Sequence, residues 1–152
     1  MNPNSEPIHG VHVRNLKLLP NARGRLMEVQ RCDDDIFLGF GQAYITSTYP
    51  GVIKAWYRHH EQIDQIAVVT GLLKLVLYDS REGSPTRGAL NEIYLGDLAP
   101  KLVQIPTGIW HGFQAFGDRE TFALHINTTA FHADRPDEDR LPAQDPSIPY
   151  TW

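Results

Sequence analysis

The amino-acid sequence predicts an all-β protein built from many short strands. Apolar residues recur at every second position in "VHVRNLKLL", "FGQAYITST" and "LLKLVLYD". Turn residues interrupt these runs at close intervals, and no capped segment of ten or more residues keeps helical spacing. This combination is typical of a β-sandwich or barrel, of which the jelly roll is one form.

Seven apolar runs are the predicted strands. Three of them alternate clearly, and the other four are short runs rich in β-branched or aromatic residues, which favour strands. In chain order they cover residues 11–19, 40–48, 52–56, 66–69, 72–79, 102–105 and 122–126. Turn residues separate them at 22–24, 49–51, 70–71, 82–85, 96–97, 106–108 and 117–118.

Length and composition indicate one domain, residues 1–152, with enough chain to bury a stable core. A formal net charge of -4 argues against nucleic-acid binding, which needs a basic surface. No apolar run approaches the roughly 20 residues of a membrane span, and the N-terminus does not resemble a secretory signal. Cys32 is the sole cysteine, so we expect a cytoplasmic protein without an intrachain disulfide.

Residues 132–152 are predicted to form an irregular C-terminal tail. They contain "ADRPDEDRLPAQDPSIPYTW", which is rich in proline and charge. We expect the terminal aromatic residues, Tyr150 and Trp152, to pack onto the barrel. The alternative is that the tail acts as a substrate lid.

Two segments carry candidate chemistry. In "GVIKAWYRHHEQIDQIAVVTG", residues 51–71, ionisable side chains stand between strand-like runs, which a strand used only for packing does not need. Strand alternation puts Tyr57 and His59 on one face and His60 on the other. We therefore predict that Tyr57 and His59 line a pocket and that His60 lies outside. The second segment, "PTGIWHGF", supplies His111 after a Pro-x-Gly turn.

Together these segments resemble the paired motifs of the cupin superfamily, whose members are jelly rolls, or double-stranded β-helix barrels. In that superfamily the first motif places two histidines and an acidic residue inside the barrel, and the second motif adds a histidine. Here Tyr57 stands at the first histidine and Asp64 at the acidic residue. The resemblance implies a cupin-type jelly roll with these residues around an interior site.

Most of the chain resembles a narrower group, the nucleotide-sugar 3,5-epimerases that process dTDP-4-keto-6-deoxyglucose. The resemblance rests on "RGRLMEV", "FGQAYITSTYPGVIKAW", "YDSREGSPTRG", "IPTGIWHGF" and the "DPSIPYTW" ending. It implies an isomerase that acts next to a 4-keto group of a dTDP-sugar, in polysaccharide or sugar-metabolite biosynthesis, without a required cofactor. It also implies six substrate-binding residues: Arg23, Glu28, Gln42, Lys54, His111 and Phe131.

The catalytic positions of that family carry different residues in this chain. The resemblance places the family's base histidine at Tyr57, its oxyanion-stabilising lysine at Asp64 and its acid tyrosine at His125. Histidine suits proton acceptance and tyrosine suits proton donation near neutral pH. We therefore hypothesise an exchange of roles, with His125 as the base and Tyr57 as the acid. His59 is a further catalytic candidate.

Two other functions stay open at this point. His59, Asp64 and His111 form a two-histidine, one-carboxylate set of the kind that binds divalent transition metals, so the chain is alternatively a metal-dependent cupin enzyme acting on a small non-nucleotide substrate. The loss of the usual catalytic residues also fits a non-catalytic, sugar-binding cupin. In each case we expect a homodimer paired through the N-terminal strands, since "IHGVHVRNLKLL" is a candidate exposed edge.

Overall fold

β-Strands form the regular secondary structure of residues 6–152, the part of the chain that the structure, a computed structural model, describes. Within these residues no helix is long and apolar enough to cross a membrane. The all-β prediction is confirmed. The strands are β1 His12–Asn15, β2 Leu18–Asn21, β3 Gly24–Met27, β4 Gln42–Thr48, β5 Ile53–Arg58, β6 Asp64–Thr70, β7 Leu72–Asp79, β8 Leu90–Gly96, β9 Lys101–Ile105, β10 Ile109–Ala115, β11 Thr121–Asn127 and β12 Asp139–Arg140.

Two five-stranded antiparallel sheets enclose the core. One has the strand order β1-β9-β6-β11-β4 and is called the β6 sheet here; the other, the β5 sheet, has the order β12-β5-β10-β7-β8. Strands β2 and β3 form a separate hairpin. Side chains from both sheets meet in one apolar cluster, among them Ile66, Val103 and Ala123 from the β6 sheet and Leu75 and Leu77 from the β5 sheet. This is the predicted jelly roll.

Alternation along each strand decides which side chains enter the interior. In β11 every second residue is buried, including Ala123 and His125, whereas Leu124 and Ile126 are half-buried on the opposite face. His125 and its two neighbours therefore face opposite ways. His125 reaches the interior beyond the apolar cluster, where polar side chains replace aliphatic ones.

A β-bulge between β5 and β10 shifts the alternation beside the site. His111 pairs with Tyr57, but Phe113 pairs with Lys54, so two steps along β10 match three steps along β5. The extra residue lets Lys54 and Tyr57 face the same interior space although they are three positions apart. Strict alternation from Tyr57 would have put Lys54 on the outer face.

The C-terminal tail covers the outer face of the β5 sheet. The backbone of Leu141 exchanges hydrogen bonds of 2.8 and 3.1 Å with that of Trp56, whose fully buried ring packs against Ile148, Tyr150 and Trp152. The terminal aromatic residues thus contact the barrel. The tail differs from the prediction in one respect: β12 pairs with the edge of β5, so residues 132–152 are not wholly irregular.

Buried Asp79 organises the loop after β7. Its carboxylate accepts hydrogen bonds from Arg81 Nε at 3.0 Å, Ser84 Oγ at 2.6 Å and Thr86 Oγ1 at 2.8 Å. Burial alone would raise the pKa of Asp79, but these donors outweigh it and hold the pKa well below its ordinary value. Arg81 also donates to the carbonyl of His9 at 2.7 Å, so the same network fixes the chain before β1.

Four strands, β3, β8, β10 and β12, lie outside the seven predicted runs. Strand β8, "LNEIYLG", has adjacent polar residues, and its two buried leucines, Leu90 and Leu95, are five positions apart. Its pairing with β7 rather than its own alternation makes it a strand. The predicted first strand is also divided into two: β1 pairs with β9, whereas β2 pairs with β3 in the separate hairpin.

Candidate active site

A cavity of about 290 Å³ opens between the two sheets and collects the polar side chains of the interior. Tyr57 and His111 lie on the β5 sheet, whereas Asp64 and His125 lie on the β6 sheet, so the two pairs come from opposite walls. Lys54, Tyr57, His59, Asp64, His111 and His125, all predicted from the sequence, line this cavity together with Tyr44, Thr46, Phe113 and Glu138.

Asp64 is the centre of the polar cluster. It is buried, and its carboxylate lies between two imidazoles: Oδ1 is 3.2 Å from His125 Nδ1, and Oδ2 is 3.5 Å from His111 Nε2. Burial would raise the pKa of Asp64, yet the charges and hydrogen bonds of His125 and His111 outweigh it and hold the pKa well below its ordinary value. Asp64 is therefore a carboxylate at neutral pH.

This carboxylate fixes the proton arrangement of His125. A carboxylate only accepts hydrogen bonds, so His125 Nδ1 carries the hydrogen toward Asp64. In the neutral ring Nε2 then holds the lone pair, and Thr46 Oγ1 lies 3.2 Å from it as a donor. His125 is thus an imidazole held in one orientation on a cavity wall, and in its neutral form the unprotonated nitrogen is Nε2.

Tyr44 covers one face of the His125 ring. The two rings are parallel within 6° and their centroids are 4.6 Å apart. Burial, and after it the nearby negative charge of Asp64, raises the pKa of Tyr44 to about 12. Tyr44 is accordingly a neutral phenol whose stacking limits the motion of the imidazole.

The other two histidines are also held through one ring nitrogen. His59 Nδ1 donates to the carbonyl of Asp137 at 2.6 Å, and His111 Nδ1 donates to the carbonyl of Ile109 at 3.2 Å. The rings of His59 and His111 lie 5.5 Å apart. Exposed His60 points away and approaches Asp139 at 3.0 Å, in agreement with its predicted exterior position.

Tyr57 lies beside a charged pair from the C-terminal tail. The guanidinium carbon of Arg140 is 5.5 Å from the Tyr57 ring centroid, and Arg140 Nε donates to Glu138 at 2.6 Å. Glu138 itself lines the cavity. The tail therefore supplies an acidic side chain to the site as well as covering the barrel.

The remaining predicted substrate residues lie outside this cavity. Gln42 and Phe131 line an adjoining cleft of about 290 Å³, where Gln42 Oε1 accepts the N–H of Phe131 at 2.8 Å. Arg23 is exposed in the turn between β2 and β3, and exposed Glu28 pairs with Arg31 at 3.2 Å. Within residues 6–152, neither Arg23 nor Glu28 lines the cavity or the cleft.

Sequence reasoning missed Tyr44, Thr46 and Glu138. A signal for the first two was available, because Gln42 was a candidate and alternation along β4 puts residues 44 and 46 on the same face as 42. Glu138 has no such signal, since it lies in a proline-rich segment without periodicity. Only the pairing of β12 with β5 brings it to the cavity.

Comparison with known proteins gives a consistent family. Residues 5–152 match the sequence profile of the dTDP-4-dehydrorhamnose 3,5-epimerase family. The chain is 40% identical over 147 residues to the "Probable low-salt glycan biosynthesis epimerase Agl13" of Haloferax volcanii, with 95% of this chain and 94% of that protein covered. It is 38% identical over 145 residues to the spore coat polysaccharide biosynthesis protein SpsL of Bacillus subtilis, with 95% and 96% covered.

A solved structure agrees with these sequence relatives. The crystal structure of a dTDP sugar isomerase from Desulfovibrio desulfuricans superposes with a TM-score of 0.91 at 32% sequence identity. The match covers 95% of this chain and 92% of that one. The similarity therefore extends over nearly the whole fold, including both walls of the cavity.

Proposed function

Because the chain belongs to the dTDP-4-dehydrorhamnose 3,5-epimerase family, we propose that it is a nucleotide-sugar epimerase acting next to the 4-keto group of a dTDP-sugar. Epimerisation at such a carbon removes the acidic α-proton from one face and returns a proton to the other. This is proton transfer alone, and the reaction needs no cofactor. Two relatives named for glycan and spore coat polysaccharide biosynthesis support a role in building surface polysaccharides.

The orientation of His125 by Asp64 is the observation that carries the proposal. A general base needs an unprotonated nitrogen, a fixed direction and a partner for the positive charge that it acquires. Asp64 accepts the Nδ1 hydrogen of His125 at 3.2 Å and stabilises the imidazolium, while Nε2, which Thr46 Oγ1 contacts at 3.2 Å, is the nitrogen that would take the α-proton in place of that contact. The family's histidine position is Tyr57 in this chain, so His125 takes over the role of base from the opposite wall.

Tyr57 is the proposed acid. It lines the same cavity from the β5 sheet, whereas His125 lines it from the β6 sheet, so a sugar ring between them would meet one group on each face. A phenol is protonated at neutral pH and can return a proton to the enolate carbon. After one turnover His125 is protonated and Tyr57 is a phenolate, and exchange with water restores both.

The substrate's nucleotide and diphosphate have their own proposed contacts. The ammonium group of Lys54 donates to Ser47 O at 2.6 Å at the cavity wall, where it can also attract a diphosphate. Gln42 and Phe131 line the adjoining cleft through which the rest of the substrate would extend. Arg23 and Glu28 stay predicted nucleotide contacts, supported by the family resemblance alone.

Deuterium uptake tests the proposed reaction. In D₂O the enzyme should incorporate deuterium next to the keto group of a dTDP-4-keto-6-deoxy sugar, measured by NMR or mass spectrometry. His125→Asn and Tyr57→Phe should each slow the uptake by roughly 10²- to 10⁴-fold. The matched controls are His60→Asn and Tyr49→Phe, at exposed positions outside the cavity, and both should exchange normally.

Two results would contradict the assignment. One is normal uptake by both active-site variants. The other is a wild-type protein that binds dTDP, as shown by a rise in melting temperature, yet never exchanges a proton of a 4-keto sugar. The second result would favour the non-catalytic, sugar-binding alternative.

We also propose that the protein forms a homodimer and that it is cytoplasmic. Strand β1 is an edge of the β6 sheet, and Val13 on β1 and Leu19 and Leu26 on the β2–β3 hairpin are exposed apolar residues near it, which supports pairing with a second copy. Light scattering during gel filtration measures the mass directly. Localisation rests on the lone Cys32, which gives no intrachain disulfide.

A further inference from the structure

We propose that Glu138, which the C-terminal tail brings into the site, accepts a hydrogen bond from the 2-hydroxyl group of the substrate's sugar. The contact makes the site specific for sugars that keep this hydroxyl group and against 2-deoxy sugars. The assignment rests on the dTDP-sugar substrate proposed above, but not on the proton transfer. Glu138 lies outside both motif segments of the sequence, yet it lines the cavity that holds Tyr57 and His125.

Glu138 lies where the cavity between the two sheets meets the adjoining cleft. Three side chains, those of Tyr44, His59 and Glu138, line both spaces, and Glu138 is the acidic one among them. Its side chain is only 18% exposed, so the site shields the carboxylate from bulk water. A substrate that occupies the cleft and the cavity together must therefore pass beside this carboxylate.

One oxygen of the Glu138 carboxylate is occupied and the other is available. Arg140 Nε donates to Oε1 at 2.6 Å, and Arg140 Nη2 contacts the same oxygen. Within residues 6–152 no donor contacts Oε2. A shielded carboxylate oxygen is stabilised by a hydrogen-bond donor, and hydrogen bonds to an ionised acceptor are stronger than those between neutral groups. Oε2 is therefore the atom that accepts the sugar hydroxyl.

Arg140 balances the charge that Glu138 brings to the site. The guanidinium group is exposed and lines neither the cavity nor the cleft, so it holds the carboxylate from outside. Because the pair has no net charge, the carboxylate can lie near a substrate diphosphate with little repulsion. Glu138 thus supplies a hydrogen-bond acceptor without making the site strongly negative.

The position of Glu138 selects the hydroxyl group. The ring carbons next to the 4-keto group must reach His125 and Tyr57, whereas the diphosphate leaves from C1, across the ring, toward the cleft lined by Gln42 and Phe131. C2 lies beside C1, so the 2-hydroxyl is at the boundary between cavity and cleft. The 3-hydroxyl is attached to a carbon that epimerisation can invert, but the 2-hydroxyl keeps its direction throughout. A contact kept in substrate, enolate and product contributes to binding and not to the rate of the bound complex.

Calorimetry with two unreactive sugars tests the contact. dTDP-6-deoxyglucose and dTDP-2,6-dideoxyglucose lack the keto group and differ only in the 2-hydroxyl. The wild type should bind the first sugar more tightly by roughly 10- to 100-fold. Glu138→Ala should bind both sugars alike, because the 2-hydroxyl has lost its acceptor. Glu61→Ala is the control: Glu61 is exposed in the turn after β5 and lines neither the cavity nor the cleft, so the preference should persist.

Deuterium uptake gives a second measurement that a structural role would not reproduce. With dTDP-4-keto-6-deoxyglucose, Glu138→Ala should raise KM by roughly 10- to 100-fold and leave kcat nearly unchanged, since the lost contact is the same in the ground state and the transition state. Glu138→Gln keeps an acceptor oxygen without the charge, so KM should rise less. Arg140→Gln keeps the carboxylate and should retain the preference for the 2-hydroxyl.

Two outcomes overturn the role of Glu138: equal wild-type affinity for both sugars, or an equal loss of affinity for both in a folded Glu138→Ala. Circular dichroism melting establishes folding, and if Glu138→Ala does not fold, an unchanged preference in Glu138→Gln overturns the role instead. A wild-type protein that prefers the 2-hydroxyl through Glu138 but takes up no deuterium would contradict the epimerase proposal and support this contact. Normal uptake without the preference would do the reverse.

Discussion

Asp64 and Asp79 are both buried aspartates with a strongly lowered pKa, but their partners differ. Asp79 is held by a guanidinium and two hydroxyl groups, which keep the same protonation state across ordinary pH. Asp64 is held by two imidazoles, a side-chain type that proteins commonly use for proton transfer, and it faces a cavity. The two aspartates are similarly buried, but their partners allow different roles. Asp79 can only hold the loop after β7 in place, whereas Asp64 can take part in proton transfer.

The difference also separates what identifies the family from what performs the reaction. Asp79 and the loop that it holds belong to "YDSREGSPTRG", one of the segments on which the family resemblance rests. The network there is structural. Asp64 stands where the resemblance expects a lysine, and it contacts His125, where the resemblance expects a tyrosine. The proposed chemistry of this chain therefore lies at positions that depart from the family pattern.

The largest expected effect is on catalysis by Asp64→Asn. The amide keeps the shape of the carboxylate but neither stabilises the His125 imidazolium nor enforces the hydrogen on Nδ1. Deuterium uptake into a dTDP-4-keto sugar should fall on the order of 10³-fold. Asp79→Asn, assayed well below its melting temperature, should retain wild-type uptake. Equal losses in both variants would break the distinction between the two aspartates.

The second effect is on stability, and it belongs to Asp79→Asn. Losing the charge leaves Arg81 beside a neutral amide and removes an acceptor that Ser84 and Thr86 need. Breaking one partner of a buried charge pair costs about 3 kcal/mol, which corresponds to a melting temperature lower by roughly 6–12 °C at this chain length. Exposed Asp118→Asn is the control and should melt as the wild type does. An unchanged melting temperature for Asp79→Asn would show that the network is dispensable.

Strand alternation was enough to predict the all-β fold and much of the site. Residues at even spacing share a face, so Tyr57 with His59, and His125 apart from its neighbours, were predictable from counting alone. Alternation no longer predicts which way a side chain faces where a β-bulge adds an extra residue to a strand. The bulge in β5 turns Lys54 inward, and the sequence of a bulge resembles that of an ordinary strand.

Pairing between distant segments could not be predicted from the sequence. The approach of Asp64 to both His111 and His125 requires β6, β10 and β11 to take one register, which the tertiary fold sets. The same holds for Glu138 and Asp137, which reach the site only because the tail pairs with β5. Side-chain types indicated proton or metal chemistry, but the orientations of His59 and His111 depend on backbone carbonyls that any sequence would possess.

The smallest expected effect is on how the free energy of unfolding changes at acidic pH. It compares the wild-type protein with Asp79→Asn. The pKa of Asp79 is lowered in the folded chain and returns to its ordinary 3.8 on unfolding. Between these values the unfolded chain binds more protons, so the stability contributed by Asp79 is complete above about pH 5 and declines as the pH falls. Urea unfolding at pH 7, 5, 4 and 3 should therefore show the gap between wild type and Asp79→Asn narrowing toward low pH. Asp64 also contributes stability that is lost at low pH, and it does so in both proteins. The free energy of unfolding should therefore fall with pH in the wild type and in the variant. A gap that stays constant from pH 7 to pH 3 would mean that Asp79 stabilises the fold through shape and not through charge.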